Sequence, residues 1–369
     1  MRCAVIGMGR IGASVYQDLA PRLPSIIGLD IDGKRVAELA AQGFRVTTDF
    51  QDCTDIDVWI ICTATGRNME TILSLGAALT PGPGSLVSVE STLLPGTMGD
   101  LAARFASRGF RAGQDFFLVH VPHRVMLGCD ASTLSMPRVI GGITPHCLDK
   151  GMAFYRPLVS DLVPVTDIRV AELSKIVENS LRFVDIAFAE TVAAICAAAQ
   201  GLDFQSLRQA VNSKGNVRLL DVDYGIGGEC LPKDIGFLNR VFPSPVLSGA
   251  VEADLRYRED LQGRALAAAL AGGRSVLVDG VGYKPGIADL SFSRAVETAK
   301  SLQAAGARVF VYDPLFPDEV LKKEGLVPVA TPEGPYDLII RRGRFLTPQE
   351  AQEVRGMREV QEVHNWPES

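Results

Sequence analysis

The sequence predicts an α/β protein in three parts: a first α/β domain on a parallel sheet, a central helical domain with a long spine helix, and a smaller C-terminal α/β domain. Three observations predict it. An apolar strand at residues 2–6 runs into a glycine-rich turn and then into a helical pattern. Residues 167–200 keep helical apolar spacing without a Gly or Pro. The strand-turn-helix pattern then resets near Gly272-Gly273. The expected domain limits are 1–165, 166–270 and 271–369, in keeping with two or three domains for 369 residues.

Along the chain, the helix after the first turn is expected over residues 13–20. A second apolar run at 25–29 ends in Asp30-Ile31-Asp32, and a third at 57–62 ends in Thr63-Ala64-Thr65-Gly66. Residues 85–89 and 116–121 read as further strands. Residues 204–270 read as helical, broken by the glycines at 225–228. The last domain is read as strand 275–279, helix 293–305, strand 308–312 and a late strand at 337–340.

Composition narrows the function classes. Hydrophobic residues make up 47% and charged residues 22%, values of a globular chain that exclude disorder or a fibrous repeat. Lys plus Arg number 37 against 43 Asp plus Glu, a net charge of −6, so no nucleic-acid partner held by phosphate neutralisation is expected. Even the apolar stretch at 185–199 contains Glu190 and is short for a bilayer, and no membrane partner is expected. Seven irregularly spaced cysteines do not suggest a disulfide framework, and no charged-then-apolar leader opens the chain, so the expected location is the cytoplasm. No metal is expected.

The turn Gly7-x-Gly9-x-x-Gly12 has a mechanical purpose. Two glycines let backbone approach a pyrophosphate at a helix N-terminus, and the third allows close packing of helix on strand. Asp30 follows Gly7 by 23 residues at the end of the next strand, where a carboxylate accepts from a ribose hydroxyl and repels a 2′-phosphate. A Rossmann-type domain binding NAD is the expectation; a packing turn beside a surface acid is the bland alternative. Three further features have two readings each. Residues 90–97, Glu-Ser-Thr-Leu-Leu-Pro-Gly-Thr, sit where a ligand-facing edge is expected, or form a helix cap and turn. Lys175 and Asn179, four apart on the long helix, are site residues or a solvated face. Cys230 and Asp234 follow the flexible glycines one helical turn apart, as an acidified nucleophile with a carboxylate or as a buried inert thiol beside an acid.

In combination these segments resemble the nucleotide-sugar 6-dehydrogenases, whose members act on UDP-glucose, GDP-mannose and UDP-N-acetylmannosamine, over nearly the whole chain. Residues 5–12 are similar to the family's dinucleotide loop, 91–97 to its Ser-Thr-x-x-Pro-Gly-Thr segment, and Ala171-Glu172 through Lys175 to Asn179 to its Ala-Glu-x-x-Lys-x-x-x-Asn helix. Gly227-Gly228-Glu229-Cys230-Leu231-Pro232-Lys233-Asp234 is similar to its nucleophile loop, a specific match. Residues 280–285 through Asp289, and 311–314, resemble its nucleotide-holding third domain.

The resemblance implies oxidation of a sugar C6 alcohol to a carboxylate in two hydride transfers to NAD, with a UDP-sugar favoured and a Cys-linked thiohemiacetal and thioester on the way. Cys230 would be the nucleophile, Lys175 and Asn179 the donors to the developing oxyanion, and Asp234 and Thr92 would position water or relay protons. Gly7, Gly9, Arg10, Ile11, Gly12, Asp30, Thr63 and Thr92 would hold the cofactor. Arg124, Val125, Gly227, Gly228, Lys284 and Asp289 would hold the nucleotide-sugar. Separately, the length of the helix at 167–200 leaves apolar surface for a partner, so a homodimer along it is expected.

Three departures stand out. His123 takes the place of a family glutamate that assists thioester hydrolysis, and reads either as a catalytic imidazole or as a structural hydrogen-bonding residue. Ser291 stands where an Arg is usual, and Arg341-Arg342 where relatives have Thr and His, in a short final domain. Two rivals follow: a nucleotide-independent hydroxyacid or 6-phosphogluconate-like dehydrogenase, which would not need Cys230, and a catalytically impaired NAD-binding homologue kept as a binding or regulatory subunit.

Overall fold

The computed structural model describes residues 1–66, 68–124, 132, 134–199, 202–271, 275–347 and 349–351. The expected contact at Val125, the pattern reset at Gly272-Gly273 and the last residue of the long-helix reading, Gln200, lie outside the described residues. The chain divides into two compact units, Met1–Asn179 and Ser180–Ser369.

The first unit alternates strand and helix: β1 (Arg2–Ile6), α1 (Arg10–Leu19), β2 (Ser25–Leu29), α2 (Gly33–Ala41), β3 (Val46–Thr47), β4 (Val58–Ile61), α3 (Glu70–Ala78), β5 (Leu86–Val89), α4 (Thr97–Ser107), β6 (Phe117–His120), β7 (Arg138–Gly142), α5 (Pro145–Tyr155) and β8 (Leu162–Val165). Helix α6 (Ile168–Ala198) follows and runs on into the second unit. The strands form one sheet in the order β3-β2-β1-β4-β5-β6-β7-β8, parallel except where β7 runs against β6. This is the doubly wound arrangement, so the loops leaving β1, β2, β4 and β5 share one edge, where such folds bind ligands. The central strands read as continuous apolar runs because both faces are covered, and every residue of β4 and β5 is buried. Pro164, which donates no ladder bond, falls on the edge strand β8. Helix α1 starts at Arg10 rather than at the expected residue 13. The Gly9 carbonyl already accepts the Ala13 amide at 3.0 Å, so the turn feeds the helix with no intervening loop.

The second unit holds α7 (Phe204–Asn212), α8 (Cys230–Val241), α9 (Pro245–Ala271), β9 (Ser275–Asp279), α10 (Arg294–Ala304), β10 (Arg308–Tyr312), α11 (Asp318–Lys323), β11 (Leu338–Arg341) and β12 (Arg344–Leu346). Its sheet runs β10-β9-β11-β12, with only β12 antiparallel. Val276, Val278 and Ile340 of the sheet share a core with Leu261 and Ala265 of α9 and with Ala299 and Leu302 of α10. Long helix and small sheet are therefore joined by one apolar cluster.

A polar cluster lies beyond the end of β5. Glu90 is buried, with Arg138 Nη2 donating to its Oε2 at 2.8 Å and the Tyr155 hydroxyl donating to its Oε1 at 2.7 Å. Arg138 also donates to the Val121 carbonyl, and Ser88 Oγ lies 2.7 Å from the Tyr155 oxygen. Burial alone would push the Glu90 carboxyl up, but the Arg138 charge and a His123 contact outweigh it and hold it down at about 2. A depressed folded-state value means that this stabilisation is complete above the ordinary carboxylate range and fades as pH falls towards 2. Replacing Arg138 by Leu leaves a buried carboxylate without its counter-charge, at a cost of about 3–5 kcal/mol at neutral pH. In that variant burial raises the carboxyl instead, so acid relieves it. The expected result is a difference in thermal midpoint between wild type and Arg138→Leu that is largest near pH 7 and narrows below pH ~4; a pH-independent gap would contradict the pairing.

Candidate active site

The glycine-rich turn meets its mechanical expectation. Gly7 sits at φ +87°, and a Cβ at Gly12 would lie 1.8 Å from the Gly7 carbonyl oxygen, so only glycine lets α1 start this close to β1. A Cβ at Gly9 would meet nothing within 4 Å. Gly9 and Arg10 are exposed and Ile11 half-buried, and no side chain caps the N-terminus of α1. A helix N-terminus without a side-chain cap, beside the exposed Gly9, is where a pyrophosphate fits.

Asp30 leaves β2 and takes the Met8 amide on Oδ2 at 2.6 Å and the Asp32 amide on Oδ1 at 3.0 Å. Each oxygen keeps a further acceptor site for a ribose hydroxyl. Arg35, the basic side chain at this turn, donates to the Met8 carbonyl at 2.9 Å and sits 3.6 Å from Glu38. Ile31, beside Asp30, is 95% exposed, an apolar surface for a base, and a β-branched residue just past a strand end is the sequence signal for it.

Thr63 and Thr92 come together here. Ser91 Oγ donates to the Thr63 carbonyl at 2.7 Å, tying the loop after β5 to the loop after β4, and both threonines are half-buried. Thr63 Oγ1 is shielded from water with no hydrogen-bond partner, an orphan polar atom beside Gly7, whose Cβ position lies 2.8 Å from the Thr63 backbone. An uncapped helix N-terminus, spare carboxylate acceptors and an orphan hydroxyl all fit a dinucleotide.

The segment at 90–97 is not an ordinary capped turn. The residue before α4 is Gly96 at φ +94°, with no cap from its own side chain. The cap comes from α6, where Glu172 accepts the Gly96 amide at 2.8 Å and the Met98 amide at 2.7 Å. Burial pushes the Glu172 carboxyl up while those two amides pull it down. Glu172 thus locks the Thr92 loop to the helix that bears Lys175 and Asn179. These two are half-buried.

His123 and Arg124 follow β6. Arg124 grips Glu178 of α6 with two bonds, of 2.9 and 3.1 Å, and donates to the Pro137 carbonyl. His123 is buried, its Nδ1 3.2 Å from Glu90 Oε2, while its Nε2 has no hydrogen-bond partner. The loop after β6 is therefore held between the buried acid and the Lys175 helix.

The second unit carries Cys230 and Asp234. Cys230 is the first residue of α8 and is exposed, against the buried-thiol reading. Asp234 lies one turn along, buried, with Lys233 Nζ at 3.8 Å. Gly228, at φ +76°, lets the loop pass the Tyr283 ring, which a Cβ would approach to 3.0 Å. Lys284 is exposed, and Asp289 Oδ1 accepts the Ser291 amide. Arg341 pairs with Asp279 at 3.9 Å and Arg342 with Asp223 at 3.6 Å, so both arginines face acids of their own unit. Among the described residues no three His, Cys, Asp or Glu side chains gather as a metal site requires, and no helix is long and apolar enough to cross a membrane.

Comparison with known proteins matches residues 169–248 to the central domain of the UDP-glucose/GDP-mannose dehydrogenase family and residues 277–341 to its UDP-binding domain. Residues 3–73 match a TrkA-N domain. A UDP-N-acetyl-D-mannosamine dehydrogenase of Pyrococcus horikoshii is 28% identical over 85% of this chain and 84% of its own length. A UDP-N-acetyl-D-glucosamine 6-dehydrogenase of Pseudomonas aeruginosa is 25% identical over 92% of this chain and 89% of its own. The solved UDP-glucose dehydrogenase of Pyrobaculum islandicum superposes with a TM-score of 0.77 over 95% of both chains at 20% identity, a likeness of fold. Both domains of the UDP-glucose/GDP-mannose dehydrogenase family, oxidoreductases that act on nucleotide-sugars, are thus matched in order along the chain, which supports its membership of that family as a divergent member.

Proposed function

We propose that this protein oxidises the C6 alcohol of a nucleotide-sugar, with a UDP-sugar favoured, to the uronic acid, with Cys230 as the covalent nucleophile. The observation that carries this reading is the exposed thiol at the first position of α8, inside the segment matched to the family's central domain. Helix N-terminal amides favour a thiolate, which is the reactive form.

The backbone at Gly9, Arg10 and Ile11 together with Asp30 and Thr63 would hold NAD, with Ile31 under the base, and each NAD bound there would accept one hydride, two NAD being reduced per sugar acid. The Asp30 carboxylate would repel a 2′-phosphate and so favours NAD over NADP. The remaining chemistry falls to this chain's own residues. Lys175 and Asn179 donate to the C6 oxygen as charge develops on it. Cys230 Sγ adds to the C6 aldehyde and later carries the acyl group as a thioester. Asp234 and Thr92 position water or relay protons, and water releases the acid and restores the thiol. Arg124, Gly227, Gly228, Lys284 and Asp289 would contact the donor.

His123 supplies the base for that last step. Glu90 Oε2 lies 3.2 Å from His123 Nδ1, and with the Nδ1 proton donated to that carboxylate the ring is oriented so that Nε2 carries the lone pair. Nε2 is the nitrogen left without a partner. A homodimer formed along α6 completes the reading. Leu181, Phe188 and Ile195 recur every seven residues at 61%, 63% and 57% exposure, a seam spaced as in helix-helix packing.

Incubation with NAD and a panel of UDP-, GDP- and dTDP-sugars should give two NADH per acid from one donor. NAD binding with no turnover on any donor would instead favour the impaired homologue. Cys230→Ser should abolish acid formation while NAD affinity stays within about twofold, and persistent acid would favour the nucleotide-independent rival. His123→Ala should slow thioester release about 10²-fold or more, seen by mass spectrometry as an adduct that accumulates on Cys230. Equal steady-state rates in wild type and His123→Ala would remove His123 from the chemistry. Sedimentation should show a dimer at micromolar concentration that Phe188→Asp dissociates.

A further inference from the structure

The loop that delivers Cys230 is held at Ile226. Its amide donates to Asp254 Oδ1 at 2.8 Å, and its carbonyl accepts from Arg294 Nε at 3.1 Å. Both backbone groups of one loop residue are thus taken by charged side chains from two different helices, α9 and α10. Each of those side chains is itself anchored. Asp254 is buried and receives Arg258 Nε on its other oxygen at 3.1 Å, and Arg294 Nη1 forks onto Glu297 at 2.6 and 2.8 Å. The Ile226 side chain is buried with Ile235 of α8 and Phe183 and Ala187 of α6, so a shift of Ile226 is passed directly to the helix that begins at Cys230. A further contact keeps the same stretch in place: the Phe292 carbonyl accepts the Gly228 amide at 3.3 Å, from a residue at φ +56°. A bulky residue in that conformation is strained and persists only where its surroundings impose it.

We propose that Asp254 and Arg294 are positioning residues for the nucleophile: together they clamp Ile226 and so set the place of Cys230 at the start of α8. This rests on the reading of Cys230 as nucleophile. Neither residue needs to touch the sugar.

The test compares Asp254→Ala, Asp254→Asn and Arg294→Met in the full-length protein. Turnover with the donor identified above and the alkylation rate of Cys230 by iodoacetamide are measured, with circular dichroism reporting the folded fraction. Misplacement of a reacting group by about 1 Å costs on the order of 10²-fold in rate. Asp254→Ala and Arg294→Met are therefore expected to lose 10- to 100-fold in kcat per folded site, with KM for NAD within about twofold and the alkylation rate changed at least threefold. Asp254→Asn keeps one oxygen for the Ile226 amide but turns an NH2 towards Arg258 Nε, so it should lose less than Asp254→Ala in both readouts. A merely structural role would reduce the folded fraction and leave kcat per folded site and thiol reactivity alone. Unchanged kcat or unchanged alkylation in folded Arg294→Met overturns the clamp, even if Asp254→Ala fails to fold. If Cys230→Ser still makes acid, the nucleophile reading fails by itself, and the alkylation rates continue to decide whether the clamp sets the loop.

Discussion

Loops that carry chemistry leave backbone amides that no strand or helix satisfies, and a buried donor without a partner costs about as much as a lost hydrogen bond. This protein meets that constraint with carboxylates. Asp30 takes the amides of Met8 and Asp32, Glu172 those of Gly96 and Met98, Asp254 that of Ile226, and Asp313 those of Val281 and Gly282. In each case an acid on one element fixes the conformation of a loop on another. Removing any one would leave orphan donors at the segment that bears a proposed site residue, so loop geometry depends on these acids more than on the loops' own sequences.

The same device appears in both sheets. In the first, the turn after β1 starts at Gly7, whose amide bonds to the last residue of β2, and Asp30 just beyond receives the turn's next amide and that of the residue two further on. In the second, Gly280 bonds to the last residue of β10, and Asp313 receives the next two amides and that of Leu315. Gly7 and Gly280 have nearly the same positive φ, 87° and 89°. Two parallel strands with an acid at the end of the second make a rigid turn in either sheet, and the fold has built it twice, from Gly7 with Asp30 and from Gly280 with Asp313.

Around the other half of the first unit the constraint is one of charge. Glu90 can stay ionised in the interior only because Arg138, Tyr155 and His123 surround it, and each of these comes from a different element. The arrangement makes the departure at His123 intelligible. A glutamate there would face the Glu90 carboxylate and repel it, whereas an imidazole accepts the neighbour and is oriented by it. A substitution that reads as a loss in the motif is compatible with the buried acid beside it.

Local pattern alone determined the strands at 2–6, 25–29, 275–279 and 308–312, the long helix and the glycine-rich turn, because alternation, helical spacing and glycine are encoded within a few residues of where they act. The motifs placed Lys175, Asn179, Cys230 and Asp234 on helices for the same reason. Tertiary structure decided what those residues face. Glu172 caps α4 from 74 and 76 residues away, Arg138 reaches Glu90 across 48, and Asp254 reaches Ile226 across 28. A carboxylate's partner is set by which loops the sheet edge brings together, and no spacing within the chain encodes that. Cys230 shows the division most plainly: its place at a helix start was legible from the glycines before it, while its exposure depended on Ile226, Tyr283 and Arg294 holding the loop that precedes it.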